Sequence, residues 1–283
     1  MVLPPAGTIA LMPVDVLFFG AHPDDVEWGV GGIALLMRAA EISFAIVDLT
    51  KGEMGSRGTP EERKLEAASA AESLGAGARE ALNLPDCGLA DSPENRQLVA
   101  SVIRRHRPKL VLAPFWEDRH PDHAAAGLIV RNSPLYCALK KLDDPNPPHK
   151  PAAFLFYPLH KFEQPAFVVD TSEVFPLKLD LLRMHQSQFA KTAEEFGVLS
   201  HGVGDYLFGL ESRDRYFGSL IGARFGEPLV SGSTHSTGRP RRHYGSSALS
   251  PRASVLPARR DLGAHRISQG LLPMPRNEIP PSP

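Results

Sequence analysis

The stretch Gly20-Ala21-His22-Pro23-Asp24-Asp25-Val26-Glu27 follows directly after an apolar run at residues 14–19. The run is rich in β-branched and aromatic residues and is bounded by Pro13 and Gly20, a pattern typical of a short buried strand. Residues 26–40 then carry apolar side chains at helical spacing, which predicts a helix. His22, Asp24 and Asp25 are therefore predicted to lie in a strand-to-helix turn. Because ligands bind at the carboxyl ends of strands in open α/β sheets, this position favours a functional site.

A second loop of the same kind follows a later strand pattern. Residues 110–113 are apolar, and Pro114-Phe115-Trp116-Glu117-Asp118-Arg119-His120-Pro121-Asp122-His123 comes directly after them. If the strands before the two loops are neighbours, His123 comes close to His22 and Asp25. Two imidazoles and one carboxylate leave coordination positions open for water and substrate, as in catalytic metal sites.

The first loop alone has a simpler interpretation, because Asp24 and Asp25 could merely cap a helix. Capping requires neither the second carboxylate nor the preceding His-Pro pair. The ligand set suits Zn²⁺ and also Fe(II), as in oxygenases. Asp24 favours a hydrolase, since it lies next to a ligand and can act as general base towards water on the metal. His120, as an imidazolium, could stabilise the oxyanion that forms when water attacks a carbonyl.

The rest of the chain alternates strand and helix patterns. The expected strands are residues 14–19, 44–49, 81–84, 110–113, 154–157 and 167–170, and the expected helices are 26–40, 60–74, 93–105, 124–142, 173–189 and 213–221. Four alternations imply a three-layer α/β fold with a mostly parallel sheet, right-handed crossovers and helices on both faces. The glycines at 29, 31 and 32 do not form a dinucleotide fingerprint, and we expect them to let the first helix pack closely against the sheet.

Composition places the chain among ordinary globular proteins. Its 283 residues are 42% hydrophobic, which is ample for a packed core. No apolar run approaches the length of a membrane span, and the first 11 residues lack the features of a signal peptide, so we expect a cytoplasmic protein. Cys87 and Cys137 are too few for a disulfide framework or a thiolate zinc site, and both are expected to be reduced.

The charge distribution divides the chain at about residue 230. Residues 231–283 carry eight arginines against two acids, a net charge of +6, which leaves −7 on residues 1–230 within the overall −1. The composition of this tail, rich in Pro, Ser and Gly, predicts disorder. We expect an N-terminal extension at 1–12, one domain at 13–230 and a disordered tail at 231–283. An arginine-rich arm could bind nucleic acid, but its aromatic content is low and we do not expect such a partner.

The two loops carry a family resemblance. Ala21-His22-Pro23-Asp24-Asp25 together with His120-Pro121-Asp122-His123 resembles the PIG-L/LmbE-like family of zinc-dependent N-acetylglucosaminide deacetylases, which have a Rossmann-like fold. Three further stretches are similar to the bacillithiol-biosynthesis branch, whose members hydrolyse N-acetylglucosaminyl-malate to the free amine and acetate. These stretches are Leu49-Thr50-Lys51-Gly52-Glu53-Met54-Gly55-Ser56-Arg57-Gly58-Thr59, Glu117-Asp118-Arg119 and Ser187-Gln188-Phe189. The similarity covers residues 13–230.

The resemblance assigns roles to individual residues. It implies that His22, Asp25 and His123 bind the zinc ion. It also implies that Asp24 is the general base and that His120 stabilises the oxyanion, in agreement with the chemistry above.

Arg57 and Arg119 lie in loops expected to face the same crevice, where guanidinium groups suit the two carboxylates of malate. Each could instead pair with a neighbouring acid, such as Glu53 or Asp118. His160 and His185 are further candidates, although a single histidine is often structural.

These observations predict a cytoplasmic zinc hydrolase that removes acetyl from a small N-acetylglucosamine conjugate, most simply N-acetylglucosaminyl-malate. Fe²⁺ could replace Zn²⁺ in the cell, and the family suggests a homo-oligomer. One alternative is a deacetylase for another N-acetylglucosamine conjugate or a thiol-conjugate amidase. An alternative of another class is a non-hydrolytic protein, either an Fe(II) oxygenase or a sugar-binding homologue.

Overall fold

A seven-stranded sheet organises the part of the chain that the computed structural model describes, residues 13–189 and 206–232. The strands are β1 (Val16–Gly20), β2 (Phe44–Asp48), β3 (Ala78–Ala81), β4 (Leu110–Pro114), β5 (Ala153–Tyr157), β6 (Phe167–Asp170) and β7 (Gly226–Ser231). The helices are α1 (Asp25–Ala39), α2 (Pro60–Leu74), α3 (Pro93–His106), α4 (Pro121–Asn132), α5 (Pro134–Ala138), α6 (Phe175–Met184), α7 (Gln186–Phe189) and α8 (Tyr206–Ser219).

The strand order is β3-β2-β1-β4-β5-β7-β6. β1 pairs in parallel with β2 on one side and with β4 on the other, and β5 continues the parallel array beyond β4. β7 is antiparallel to both β5 and β6. The expected α/β fold with a mostly parallel sheet is thus confirmed. The antiparallel β7 was not predicted, since its sequence contains a proline and a glutamate.

Two apolar clusters fill the space on either side of the sheet. One joins Leu17 and Phe19 of β1 to α3, α4 and α5. The other joins Val16 and Phe18 to α1 and α6. Successive side chains of a strand point to opposite faces, so β1 supplies both clusters and is buried along its whole length. The expected three-layer arrangement, with helices on both faces, is confirmed.

Helix α1 lies close to the sheet at its glycines, as expected. A methyl group on Gly29 would lie 2.3 Å from Cδ2 of Tyr157, and one on Gly32 would lie 2.8 Å from the side chain of Thr171. The helix is also broken, because Val30 has φ −141° and ψ 24°. α1 therefore consists of a first turn, residues 25–29, and a longer second segment that begins at residue 31.

Strand β3 lies at residues 78–81, and the expected strand at 81–84 is wrong. The central residues of β3, Arg79 and Glu80, are charged, so a search for apolar patterns does not detect this strand. Arg79 Nε donates to a carboxylate oxygen of the buried Asp48 at 2.7 Å. Both charged side chains of this strand are satisfied by partners inside the fold, since Glu80 accepts from Nε2 of His106 at 3.1 Å.

Three expected helices have wrong boundaries. The helix expected at 124–142 starts earlier, at Pro121, because proline suits the first helical position. It ends at Asn132, since Pro134 lacks an amide proton and begins the separate α5. The helix expected at 173–189 is divided into α6 and α7 at His185. The one expected at 213–221 runs from Tyr206 to Ser219.

The expected extension at residues 1–12 lies outside the described residues, as does the expected tail at 231–283 apart from residues 231 and 232. The domain boundaries at these positions remain predictions. Within the described part, no helix is long and apolar enough to span a membrane. Cys87 is an exposed free thiol and Cys137 a buried one, in agreement with the expected reduced state.

Candidate active site

Four loops meet at the carboxyl edge of the sheet. β1 and β4 are hydrogen-bonded neighbours, with Phe18 beside Leu112, so the condition on which the candidate site depended is satisfied. This pairing brings the two His-Pro-Asp loops together. The loops after β2 and β3 reach the same edge, where the amide of Met54 donates to Oδ2 of Asp86 at 2.8 Å. The sheet topology therefore gathers residues far apart in sequence into one pocket.

Three side chains direct nitrogen or oxygen atoms that could bind a metal ion towards one point in this pocket. Nδ1 of His22 lies 3.3 Å from Nε2 of His123. The same Nε2 lies 3.2 Å from Oδ1 of Asp25, and His22 Nδ1 lies 3.8 Å from Oδ2 of Asp25. Zinc bonds of about 2.0–2.1 Å at tetrahedral angles place neighbouring ligand atoms about 3.3 Å apart. These buried atoms therefore have the spacing of a metal-ligand set.

Hydrogen bonds determine which nitrogen of each imidazole faces that point. His22 Nε2 donates to Oδ1 of Asp86 at 3.1 Å, and His123 Nδ1 donates to Oδ1 of Asp118 at 3.2 Å. Because a carboxylate only accepts, the opposite nitrogens keep their lone pairs when the rings are neutral. Carboxylate–histidine pairs of this kind orient metal-binding imidazoles in proteins.

The turn itself fixes the carboxylate of Asp25. Oδ2 accepts the backbone amides of Ala21 at 2.8 Å and His22 at 3.0 Å, which leaves Oδ1 directed at His123. The simpler capping interpretation does not describe Asp24, which occupies the N-cap position of α1 without a side-chain capping bond.

The pocket favours positive charge. Burial alone would lower the pKa of His22, but hydrogen bonds to Asp122 and Asp86 raise it to about 10. Burial likewise opposes protonation of His123, whose pKa nevertheless rises to about 9 because Asp25 and Asp118 face it. Burial would raise the pKa of Asp25, yet the two imidazoles hold it well below its usual range. The pocket thus suits either protons on its histidines or a metal cation.

Asp24 has different surroundings from those of Asp25. Its φ of 146° is one that residues with a side chain rarely adopt. Its Oδ2 lies 3.6 Å from Nη2 of Arg63, whose guanidinium also donates to the carbonyls of Gly52 and Pro23. Burial raises the pKa of Asp24, and the Arg63 charge opposes this rise. Strained backbone of this kind is concentrated at functional sites.

His120 lies over the two candidate ligand histidines. Its ring centroid is 4.5 Å from that of His123 and 4.9 Å from that of His22. Its Nδ1 accepts the amide of Asp122 at 3.2 Å, so the proton of a neutral ring is on Nε2. Burial and the positive charges of the two neighbouring histidines lower the pKa of His120. These contacts favour a neutral imidazole that carries its proton on Nε2, whereas the sequence suggested an imidazolium.

The two arginines have different environments. Arg57 is half-buried, and its Nη1 donates to the carbonyl of Gln188 at 3.3 Å while Nε2 of Gln188 donates back to the Arg57 carbonyl at 3.0 Å. Arg119 is exposed in the loop between Asp118 and His120. The carboxylate of Asp118 binds His123 and His160, so its hydrogen-bonding capacity is directed into the pocket.

His160 belongs to the pocket, whereas His185 contacts Glu27 and is close enough to Asp24 for its charge to oppose the rise in the pKa of that carboxyl caused by burial. His160 stacks on His123 with ring centroids 5.1 Å apart, and its Nδ1 lies 3.1 Å from Oδ1 of Asp118. His185 is fully buried, with Nε2 3.3 Å from Oε1 of Glu27. Burial opposes its protonation, but the charge of Glu27 raises the pKa of His185.

Sequence reasoning missed three carboxylates that support the pocket. Asp86 and Asp118 orient the two imidazoles, and Asp122 accepts the amides of Cys87 at 2.7 Å and Leu89 at 3.2 Å. Asp118 and Asp122 lie within the quoted loop, but nothing in that pattern distinguished supporting acids from ligands. Asp86 had one available signal, because it follows β3 at the same edge of the sheet.

Comparison with known proteins gives consistent results. The family model described as GlcNAc-PI de-N-acetylase (PIG-L) matches residues 17–133, which carry both His-Pro-Asp loops. The chain is 31% identical over 234 residues to diacetylchitobiose deacetylase of Thermococcus kodakarensis, covering 76% of this chain and 81% of the relative.

Two further similarities extend over most of the described fold. A probable N-acetyl-alpha-D-glucosaminyl L-malate deacetylase 2 of Bacillus subtilis is 29% identical over 195 residues, covering 62% of this chain and 84% of that protein. The crystal structure of a conserved protein of Thermus thermophilus superposes with a TM-score of 0.69 and 38% sequence identity. This match covers 77% of the present chain and 94% of the Thermus chain.

Proposed function

This chain belongs to the GlcNAc-PI de-N-acetylase (PIG-L) family, and from this premise we propose that it hydrolyses the N-acetyl group of N-acetylglucosaminyl-malate with Zn²⁺ as cofactor. It is an enzyme, a deacetylase of substrates that contain N-acetylglucosamine. The observation that carries the proposed mechanism is the convergence of His22 Nδ1, Asp25 Oδ1 and His123 Nε2 beside Asp24.

The pocket residues fit a divalent metal ion. Two imidazole nitrogens, whose lone pairs are available once the rings are neutral, and one carboxylate oxygen already have ligand spacing, and the supporting carboxylates hold the imidazoles there. We assign His22, Asp25 and His123 as the ligands. When bound, Zn²⁺ would lower the pKa of a water molecule and polarise the acetamide carbonyl. Fe²⁺ suits the same donors and is the second candidate metal.

We assign Asp24 as the general base. Its carboxylate would accept a proton from the attacking water and later donate it to the nitrogen of the leaving amine. Arg63 holds Oδ2 of Asp24, and the rare φ of Asp24 directs its side chain differently from that of Asp25. Burial raises the pKa of Asp24 from its ordinary value, which makes the carboxylate a stronger base.

We assign His120 as the group that meets the developing negative charge. Because its Nδ1 accepts the Asp122 amide, its Nε2–H can donate to the carbonyl oxygen as the water attacks. A neutral imidazole can fulfil this role, since the requirement is a donor directed at the oxygen. His160, which stacks on His123 beside it, would keep the ring of His123 in place.

Malate is the proposed aglycone because two arginines belong to loops at this edge of the sheet. Arg57 and its partner Gln188 lie in two of the three stretches that resemble the bacillithiol-biosynthesis branch, and each donates to the backbone carbonyl of the other. Arg119 is exposed one residue before His120. A guanidinium group binds a carboxylate with two parallel hydrogen bonds, so two arginines match the two carboxylates of malate.

Diacetylchitobiose is a second candidate substrate. The specific observation in its favour is the 31% identity to the diacetylchitobiose deacetylase of Thermococcus kodakarensis. Both candidates present the same N-acetylglucosamine unit to the pocket and differ only in the group attached to it.

Acetate release from a panel of substrates tests these proposals. The enzyme would be reconstituted with Zn²⁺ or Fe²⁺ and supplied with the malate, inositol and chitooligosaccharide conjugates of N-acetylglucosamine. We expect the highest kcat/KM with the malate conjugate. Preference for chitobiose would favour the second candidate, and oxygen consumption without acetate would overturn the hydrolase assignment.

Three expectations from the sequence are also retained as proposals. These are a cytoplasmic location, a homo-oligomeric state and the domain boundaries, with an extension at 1–12, one domain at 13–230 and a disordered tail at 231–283. Light scattering during size exclusion tests the oligomeric state. Deacetylase activity of a chain that ends at residue 232 tests the dispensability of the tail.

A further inference from the structure

Two backbone amides at the break in α1 are bound by a side chain from β7. In a regular helix the amides of Gly32 and Ile33 donate to carbonyls four residues earlier. Here they donate to the carboxylate of Glu227, at 2.8 Å to Oε1 and 2.7 Å to Oε2. The carboxylate of Glu227 thus occupies the start of the second segment of α1.

The carbonyls at the other side of the break are bound by a side chain from α8. They belong to Trp28 and Gly29, the residues that the amides of Gly32 and Ile33 would contact in an unbroken helix. Both accept from Nη2 of Arg213, at 3.2 Å and 2.9 Å. Two hydrogen bonds of a continuous helix are therefore replaced by one arginine on the carbonyl side and one glutamate on the amide side.

The signs of these charges match the helix termini that the break creates. The carbonyl end of a helix carries partial negative charge and its amide end carries partial positive charge. Arg213 binds the first kind of end and Glu227 the second. Both side chains are buried, with 1% of Arg213 and 0% of Glu227 exposed.

Two further buried charges connect this pair. Nε of Arg213 donates to Oδ1 of Asp214 at 2.8 Å, and Nζ of Lys178 lies 2.8 Å from Oδ2 of the same carboxylate. Nζ of Lys178 also lies 2.5 Å from Oε1 of Glu227. The charges alternate along the row, so each buried ion has a partner of opposite sign.

A second contact leads from Arg213 to the metal pocket. Its guanidinium lies over the ring of Trp28, 4.3 Å from the ring centroid. The ring of Trp28 lies 5.8 Å from that of His160, which in turn stacks on His123 at 5.1 Å. Arg213 therefore contacts both the backbone of the first turn of α1 and the row of rings that ends at a candidate ligand.

We infer that Arg213 and Glu227 are positioning residues for Asp24 and Asp25. The first turn of α1 is separated from the rest of the helix by the break, so its direction depends on the groups bound at its carbonyl end. That direction contributes, together with the amides of Ala21 and His22 that hold Oδ2 of Asp25, to the 3.2 Å distance between Oδ1 of Asp25 and Nε2 of His123. The inference rests on the proposed roles of Asp25 as metal ligand and Asp24 as general base.

The test compares Arg213→Lys and Glu227→Gln with a control on the same helix. A lysine lacks the guanidinium fork, and a glutamine has one acceptor oxygen for two amides. The control is Arg215→Lys, because Arg215 is partly exposed and its Nη2 binds Glu211 on the surface at 2.7 Å. Zn²⁺ affinity is measured by competition with a chelating dye, alongside thermal unfolding, kcat and KM.

We expect the Kd for Zn²⁺ to rise about tenfold to a hundredfold in both variants. At saturating Zn²⁺, kcat should fall about tenfold or more while KM changes by less than about twofold, because the acid and base groups are displaced rather than the sugar contacts. Arg215→Lys should match the wild type. A lower unfolding temperature with unchanged Zn²⁺ affinity and unchanged kcat would show a purely structural role and overturn the inference.

A double variant separates lost contacts from lost charge balance. Lys178→Met combined with Glu227→Gln removes both charges of one buried pair, so it should unfold at a higher temperature than Glu227→Gln alone. We expect it to retain the weakened Zn²⁺ binding, because one amide still lacks its acceptor. Zn²⁺ affinity restored to the wild-type value would contradict the inference.

Zn²⁺ affinity is measured without substrate, so a wild type that binds Zn²⁺ and releases no acetate would refute the proposed function alone.

Discussion

Nε2 of His22 donates a hydrogen bond of 3.1 Å to Oδ1 of Asp86, a residue 64 positions later in the chain. This bond leaves Nδ1 of His22 as the nitrogen that faces Asp25 and His123. Asp86 is itself held by the amide of Met54, which donates to Oδ2 at 2.8 Å. The orientation of a proposed metal ligand thus depends on a carboxylate from a different loop.

The first prediction concerns this pair. Asp86→Asn should raise the Kd for Zn²⁺ about tenfold to a hundredfold, because the amide is neutral and polarises the imidazole less than a carboxylate does. Isothermal titration with Zn²⁺ measures the effect. Asp180→Asn is the matched control, since Asp180 is exposed and pairs with Arg183 on the surface. Equal Zn²⁺ affinity in the two variants would contradict the role given to Asp86.

The second prediction concerns the general base. Asp24→Ala should bind Zn²⁺ as the wild type does and lose deacetylase activity, by a factor of about 10²–10⁴ in kcat. Asp24→Asn is the cleaner variant, because asparagine tolerates a positive φ better than alanine does. Acetate release and metal content are measured on the same sample. Full activity in either variant would remove Asp24 from the mechanism.

The third prediction concerns protons and the metal. The pKa of His22 is about 10 and that of His123 about 9 without metal, both raised from 6.5, so at neutral pH these imidazoles hold protons that a metal ion must displace. Zn²⁺ affinity should therefore fall as the pH is lowered from about 9. Calorimetry at neutral pH in buffers of different ionisation enthalpy should show release of at least one proton. Binding without proton release would show that the histidines are neutral beforehand.

The fourth prediction concerns the aglycone. Arg119→Ala should raise KM for N-acetylglucosaminyl-malate about tenfold and leave KM for diacetylchitobiose within about twofold, because only the malate group offers carboxylates to a guanidinium. Arg183→Ala serves as the control, since Arg183 pairs with Asp180 at the surface. Equal losses with both substrates would assign Arg119 to the common sugar.

The fifth prediction concerns the close contact between α1 and β5. Gly29→Ala should lower the free energy of unfolding by about 1–3 kcal/mol, because the added methyl group would lie 2.3 Å from Cδ2 of Tyr157. Gly209→Ala in α8 is the control, since a methyl group there meets nothing within 4 Å. That change should raise stability by up to about 1 kcal/mol. Urea unfolding measures both, and a stabilised Gly29→Ala protein would contradict the close packing.

Local sequence signals predicted the starts of α2 and α3, which Thr59 and Ser92 cap. Thr59 Oγ1 accepts the amide of Glu62 at 3.1 Å, the Glu62 carboxylate accepts the amide of Thr59 at 2.7 Å, and Pro60 begins α2 as expected. The sequence left the pairing of β1 with β4 as a condition for the candidate site, and the structure satisfies that condition. From these two strands the candidate ligands followed directly.

Buried charges account for what the sequence could not predict. Patterns of apolar residues find elements whose buried face is apolar, and charged residues are ordinarily assigned to the surface. The side chain of Arg79 in β3 is only 7% exposed, Glu227 in β7 is fully buried, and both are paired, so an apolar pattern detects neither strand. Asp86 was missed for a different reason, since its role depends on a partner that only the folded chain brings near it.

The two hydrogen bonds between α1 and Glu227 affect when, during synthesis of the chain, the proposed metal site can form. The amides of Gly32 and Ile33 lie 195 and 194 residues before their acceptor in sequence. A ribosome that has made β1, α1 and α4 has therefore made every proposed ligand but not the carboxylate that holds the broken helix. Contacts of such large sequence separation form late, because the entropy of loop closure must be overcome first. We expect nascent chains shorter than about 230 residues to bind the metal weakly, so that full loading occurs only after β7 has left the ribosome.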